Sequence, residues 1–168
     1  LNMIADNISI GGDSLGNYIV LNFGLLPYDS SWFKIWQLIT YQFLHDTSGF
    51  GHIFWNMFLL WMFGAEVENM WGSKKFLIYY LTCGVGAGIT QLVFSSSTTI
   101  GASGSIYGIT VAFAMMFPNR LIYVYFLIPV RAKFLILGLV VVEFFALGRP
   151  SLVAHLAHIG GAVTGFVM

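Results

Sequence analysis

A serine and a histidine have neighbours that could support hydrolytic chemistry. Ser103 lies in a GASG sequence and His158 in an AHIGG sequence. A serine hydroxyl beside a histidine is a nucleophile beside its base. Ser103 is expected at a helix start, where unpaired backbone N–H groups could receive a developing oxyanion. His52 and Asn56, four residues apart on one helix face, are candidate side-chain donors to the same oxyanion.

The acidic residues give no obvious partner for His158. Glu143 falls in an apolar run, where it either snorkels toward the membrane surface or bonds to a neighbouring helix. We therefore expect a Ser–His dyad rather than a triad. His155 is expected to be structural or to face solvent. His52 is followed by isoleucine and not by the glutamate of the zinc-protease helix motif, so we expect no metal. The aromatic residues suit a membrane-interface belt and lipid-facing packing, so we expect no cofactor.

The composition indicates what kind of fold must position these residues. Of 168 residues, 58% are hydrophobic and 8% are charged, and the mean hydropathy is +0.82. A soluble domain has about 25% charged residues, and a disordered chain has low hydrophobicity, so both classes are excluded. The net charge of zero gives no basic face for nucleic acid. The lone cysteine, Cys83, is expected to pack in the core. An all-α, polytopic membrane helix bundle remains.

Apolar runs predict five membrane-spanning helices in one domain that covers residues 1–168. The runs are 53–65, 76–94, 102–117, 121–147 and 152–168. Within the fourth run, residues 121–130 are expected to lie at the membrane interface. Residues 6–31 are polar and contain glycine and asparagine, so we interpret them as a loop. The apolar residues 1–5 and the run that continues to Met168 predict a domain truncated at both ends, with one more span before Leu1.

The basic residues predict the orientation in the membrane. Loops rich in lysine and arginine stay in the cytoplasm. Five basic residues fall in the loops after the first and third runs and two fall on the other side: Lys74, Lys75, Arg120, Arg131 and Lys133 against Lys34 and Arg149. This orientation places His52, Asn56, Ser103 and His158 at similar depth, near the outer surface.

Small residues predict how the third and last spans pack. Two sets of residues have the same helical spacing: Gly101, Gly104 and Gly108, and His158, Gly161 and Gly165. Faces of small residues let membrane helices approach backbone to backbone. If these faces meet, His158 lies across from Ser103 and from Tyr107, whose ring could stack on the imidazole.

Taken in order, these residues resemble the rhomboid intramembrane serine proteases. The matching features are FLH at 43–45, His52 with Asn56, Glu68 before WGS at 71–73, GASG with Tyr107, and AHIGG with Gly165. The resemblance implies a six-helix fold whose first helix is largely missing here. It also implies that Ser103 is the nucleophile, that His158 is the general base and that His52 and Asn56 stabilise the oxyanion. Supporting roles fall to Tyr107, Gly104, Gly161 and Gly165.

The function implied by this resemblance is an intramembrane serine endopeptidase. It would cleave single-pass membrane proteins in the lipid bilayer, near the outer end of their transmembrane segment. The expected location is a bacterial inner (plasma) membrane, with a multi-pass chain and an active site open to the outer side. The oligomeric state is not indicated.

Two alternatives remain. One is a catalytically silent rhomboid-like protein that binds membrane clients, against which the intact residue set argues. The other is a transporter or channel, which would need polar residues at several depths, whereas here they cluster at one.

Overall fold

The protein is mainly helical in a computed structural model that describes residues 9–10, 13–45, 50–124, 127–147 and 152–168. The helices are α1 (Leu15–Phe23), α2 (Gln37–Thr40), α3 (Phe50–Leu59), α4 (Ala65–Trp71), α5 (Ser73–Phe94), α6 (Ser103–Met116), α7 (Ala132–Ala146) and α8 (Leu152–Val167). A 3-10 turn (Tyr41–Phe43) follows α2, and a π-helical turn (Leu60–Gly64) joins α3 to α4. The all-α class predicted from the composition is confirmed.

Each of the five predicted apolar runs overlaps a helix, namely α3, α5, α6, α7 and α8. In the part of the chain that is described, α5 alone is long and apolar enough to cross a membrane by itself, and α6 is apolar but shorter. The prediction of five spans therefore stays a prediction. The expected remnant of an earlier span at residues 1–5 lies outside the described residues.

Helix α1 replaces part of the loop expected at residues 6–31. The Ser14 Oγ accepts a hydrogen bond from the Asn17 N–H at 3.2 Å and caps the helix start. The helix ends at Gly24, whose N–H donates to the Val20 carbonyl at 2.8 Å. The loop interpretation is wrong here because it gave weight to glycine and asparagine and overlooked this cap and the apolar residues that follow it.

Among the residues that the structure describes, two short antiparallel strand pairs accompany the helices. Strand β1 (Ser9–Ile10) pairs with β2 (Asp13–Ser14), and β3 (Leu121–Val124) pairs with β4 (Ile128–Arg131). The second pair is a hairpin at the position where residues 121–130 were expected to form an interfacial segment. Pro129 lacks an N–H and disfavours helix at the residue before it, which favours the extended backbone of β4.

Helix α6 packs against both α5 and α8, which also pack against each other. Most of its residues from Gly104 to Phe113 are buried. A Cβ on Gly165 would lie 2.7 Å from the Cα of Gly108, so the backbones of α8 and α6 are in contact, as the small-residue faces predict. Cys83 on α5 is fully buried against Gly108, in agreement with its expected packing role. Gly101 was expected to share a helix face with Gly104 and Gly108. It instead lies before the start of α6 and has a φ of 130°.

Candidate active site

Ser103 and His158 are in direct contact. Ser103 is the first residue of α6, and His158 lies in α8. The His158 Nε2 is 2.7 Å from the Ser103 Oγ, although the two residues are 55 positions apart in the chain. At this distance the hydroxyl can donate its hydrogen to a neutral imidazole nitrogen. The contact therefore has the geometry of a nucleophile with its base.

The ring of Tyr107 stacks on the imidazole of His158. The ring centroids are 4.5 Å apart and the planes differ by 12°. Tyr107 follows Ser103 by one helical turn on α6, so one helix carries both the hydroxyl and the stacking ring. The stack suggested by the sequence spacing is present, and it fixes the plane of the imidazole against α6.

An acid lies beside His158, contrary to the expectation that none would. Glu143 on α7 is buried, and its Oε1 is 3.1 Å from the His158 Nδ1. This distance is that of an ion pair, although the N–H···O geometry falls short of a hydrogen bond. The Tyr107 hydroxyl donates to Oε1, and the His155 Nδ1 contacts Oε2. His155 is thus partly buried and engaged with the acid.

The sequence carried a signal for Glu143. A carboxylate in an apolar membrane helix is costly unless it has partners, so such a residue is by default a functional candidate. Of the two roles expected for Glu143, the structure shows bonding to neighbouring helices rather than snorkelling, since Glu143 contacts side chains of α6 and α8.

One of the two candidate oxyanion donors, His52, lies close to Gly101 and Ser103. A Cβ on Gly101 would lie 3.3 Å from the His52 Cε1 and 3.8 Å from the Ser103 Oγ, so the absent side chain keeps open a small space between them. Asn56 is buried, and its Nδ2 donates to the His52 carbonyl at 2.8 Å. Among the described residues, no side chain caps the start of α6, which leaves the first backbone N–H groups available to an anion.

His45 adjoins this group of residues. Its ring centroid is 5.6 Å from that of His52. Burial lowers the pKa of His45, and the neighbouring His52 lowers it further. Both effects favour the neutral imidazole of His45, and a backbone hydrogen bond with Phe43 opposes them only in part.

Two residues before α3 bond to the segment around Ser103, and neither was predicted from the sequence to belong to the site. The Tyr41 carbonyl accepts the N–H of Gly101 at 2.9 Å, and its hydroxyl donates to the Gly84 carbonyl at 2.7 Å. The buried Gln42 Oε1 accepts the Ser105 hydroxyl at 2.9 Å. A glutamine in a buried apolar segment was the available signal, because such an amide needs partners.

Three of these side chains have the spacing of a metal site. Glu143, His155 and His158 offer ligand atoms that all lie within 4.8 Å of one another. Nitrogen and oxygen ligands of this kind suit zinc. However, the contacts with Tyr107, with Ser103 and among the three residues already engage these atoms. We therefore interpret the cluster as a polar network.

Comparison with known proteins places the chain among rhomboids. The family model described as the Rhomboid domain matches residues 33–168. The chain is 32% identical over 165 residues to the Rhomboid protease GluP of Bacillus subtilis (strain 168), which covers 95% of the chain and 30% of that protein. It is 33% identical over 135 residues to the RHOMBOID-like protein 6, mitochondrial, of Arabidopsis thaliana, and this match covers 79% of the chain and 42% of that protein. With the Rhomboid protease GlpG of Yersinia pestis (strain Pestoides F), the identity is 28% over 162 residues, and the match covers 91% of the chain and 54% of that protein. The chain thus spans between 30% and 54% of the length of these relatives.

Proposed function

Because this chain belongs to the rhomboid family of integral membrane proteins, we propose that it hydrolyses peptide bonds of other membrane proteins, with Ser103 as nucleophile and His158 as general base. The observation that carries this proposal is the 2.7 Å contact between the Ser103 Oγ and the His158 Nε2. The protease names of two relatives support it at the level of the family.

The reaction follows from this geometry. The Ser103 Oγ attacks the peptide carbonyl carbon while its proton moves to the His158 Nε2, and the carbonyl electron pair becomes an oxyanion. The first N–H groups of α6, together with His52 and Asn56, stabilise that oxyanion. Protonated His158 then gives its proton to the leaving amine. Water, activated by His158 in the same way, hydrolyses the acyl-enzyme and frees Ser103.

The proposed substrates are single-pass membrane proteins that are cut near the outer end of their transmembrane segment. Ser103 begins α6 at the end that the basic residues place on the outer side of the membrane. A peptide bond within a helix is shielded by its own hydrogen bonds, so residues that weaken the substrate helix would favour cleavage. The proposed setting is a multi-pass chain in a bacterial inner membrane.

The proposal is tested by reconstituting the protein in liposomes with a panel of tagged single-pass substrates. Cleavage is expected from the parent protein and from Ser96→Ala, which removes an exposed hydroxyl in the α5–α6 connection. Ser103→Ala and His158→Ala are expected to show none. A fluorophosphonate probe should label the parent protein and not Ser103→Ala.

Two outcomes would contradict the proposal. Equal cleavage by all variants would indicate a contaminating protease. A parent protein that neither cleaves any substrate nor reacts with the probe would favour the silent client-binding alternative.

A further inference from the structure

The carboxylate of Glu143 is the meeting point of side chains from two other helices. Its Oε1 is 3.1 Å from the His158 Nδ1 and accepts the Tyr107 hydroxyl, and its Oε2 contacts the His155 Nδ1. Tyr107 belongs to α6, whereas His155 and His158 belong to α8. The carboxylate is thus held at both oxygens, on the side of the imidazole opposite to Ser103.

We propose that Glu143 is a positioning residue that orients His158, so that Ser103, His158 and Glu143 form a three-membered chain. The inference rests on the proposed function, because it assigns Glu143 a task only if His158 acts as the base. It replaces the dyad expected from the sequence by an arrangement in which the histidine has a fixed acceptor on its second nitrogen.

The first argument concerns the tautomer of His158. The Nε2 can accept the Ser103 proton only if the single proton of the neutral ring is on Nδ1. A carboxylate 3.1 Å from Nδ1 favours that tautomer, because it can accept the Nδ1 proton and no other described group hydrogen-bonds to this atom. Hydrogen bonds to a catalytic base are often poorly aligned before substrate binds and tighten in the complex, so the present N–H···O geometry is compatible with this role.

The second argument concerns charge. When the Ser103 proton reaches His158, the imidazole becomes a cation in a partly buried site. A fixed carboxylate beside the imidazole stabilises that cation, whereas an apolar side chain at the same position would not. Glu143 itself takes no proton in this step; the proton leaves Oγ, resides on Nε2 and passes to the departing amine.

The third argument concerns the precision of the arrangement. Tyr107 contacts both partners, since its ring stacks on His158 and its hydroxyl donates to Glu143. His155, one turn before His158 on α8, contacts the other carboxylate oxygen. A carboxylate fixed at two points cannot swing away from His158, which is the property needed in a residue that orients a base.

The alternative is a purely structural role, in which Glu143 ties α7 to α8 without affecting the base. Both roles predict some loss of stability when Glu143 is replaced, so stability alone cannot separate them. The turnover number of the folded enzyme can. Loss of orientation lowers kcat and leaves KM nearly unchanged, because substrate binding does not involve the far side of the imidazole.

The experiment measures kcat and KM for a fluorogenic transmembrane substrate, the rate of fluorophosphonate labelling of Ser103, and the unfolding midpoint, all in the same detergent. The variants are Glu143→Gln, which keeps the shape but removes the charge, and Glu143→Asp, which keeps the charge but is shorter. Glu66→Gln is the matched control, since Glu66 pairs with Arg120 away from Ser103.

For Glu143→Gln we expect kcat and the labelling rate to fall about 100-fold, with KM within about twofold of the parent value. Glu143→Asp should retain more activity than the glutamine variant, and Glu66→Gln should match the parent protein. A structural role would give the reverse order, because glutamine preserves the packing better than aspartate.

A glutamine variant with kcat within about twofold of the parent would overturn the inference, whatever its unfolding midpoint. If that variant does not fold, Glu143→Leu replaces it, because an apolar side chain suits a membrane helix and removes the charge. The same loss of kcat is expected, and parent-like kcat in the leucine variant would also overturn the inference. Failure of the proposed function is separate, since it would show as an inactive parent protein that does not label.

Discussion

Gly161 lies against Gly104 so closely that a Cβ on Gly161 would be 1.9 Å from the Gly104 carbonyl oxygen. Gly104 directly follows Ser103, and Gly161 lies three residues after His158. The distance between the serine hydroxyl and the imidazole is therefore set by a backbone contact between α6 and α8. This contact makes the catalytic geometry sensitive to a single methyl group.

Replacing Gly161 by alanine is expected to abolish cleavage and to destabilise the fold by about 1–3 kcal/mol, because the backbone atoms of α6 cannot move aside cheaply. Substrate cleavage and the unfolding midpoint measure the two effects. Gly138→Ala on α7 is the control, since its Cβ would meet no described atom within 4 Å. It should keep full activity and gain about 0.5–1 kcal/mol from the better helix former. Parent-like cleavage by Gly161→Ala would show that the helices have more freedom than their contact implies.

The hydroxyl of Tyr107 should matter separately from its ring. Tyr107→Phe keeps the stack on His158 but loses the hydrogen bond to Glu143. We expect kcat to fall about tenfold, as for loss of a hydrogen bond to a charged group worth roughly 1.5 kcal/mol. Tyr107→Leu loses the stack on His158 as well, so its kcat should be lower than that of Tyr107→Phe. Steady-state kinetics on both variants would reveal a ring-only role if phenylalanine matched the parent protein.

Gly101→Ala should impair catalysis through both conformation and space. The φ of 130° is strained for alanine, and the new Cβ would lie between His52 and Ser103. We expect a cost of about 1–3 kcal/mol in stability and a loss of fluorophosphonate labelling. Gly72→Ala isolates the strain, because Gly72 has a φ of 80° and its Cβ would meet no described atom within 4 Å. Gly72→Ala should lose stability but keep its labelling rate. Equal labelling of the Gly72 and Gly101 variants would contradict the claim that a Cβ at position 101 blocks the space between His52 and Ser103.

Cleavage is expected to be insensitive to EDTA. The proposed steps use the Ser103 hydroxyl and the His158 imidazole, and the atoms of the Glu143, His155 and His158 cluster are engaged by side-chain contacts. The measurement is the initial rate before and after dialysis against the chelator. Loss of activity that zinc restores would assign this cluster to a metal and would contradict the hydrolytic mechanism proposed above.

The parts of the site that the sequence predicted depend on helix periodicity. The spacing of the glycines and of Tyr107 from Ser103 specifies one face of α6, and the same spacing specifies one face of α8. The placement of Glu143 could not be predicted in this way. Helix α7 is apolar on nearly all sides, so its pattern does not indicate which face turns inward. The β3–β4 hairpin was missed for a related reason, because a short apolar run fits a strand as well as an interfacial segment.

The π-helical turn between α3 and α4 has a consequence for the aim of the oxyanion donors. A π turn closes its hydrogen bonds over one residue more than an α turn, and one residue corresponds to roughly 100° of rotation about the helix axis. The side chains of His52 and Asn56 therefore point in a different direction relative to α4 than they would on a continuous α-helix, and α4 carries the Glu66–Arg120 pair at 2.9 Å. Insertion or deletion of a single residue in this turn would rotate His52 and Asn56 relative to Ser103, while α4 keeps the contact between Glu66 and Arg120.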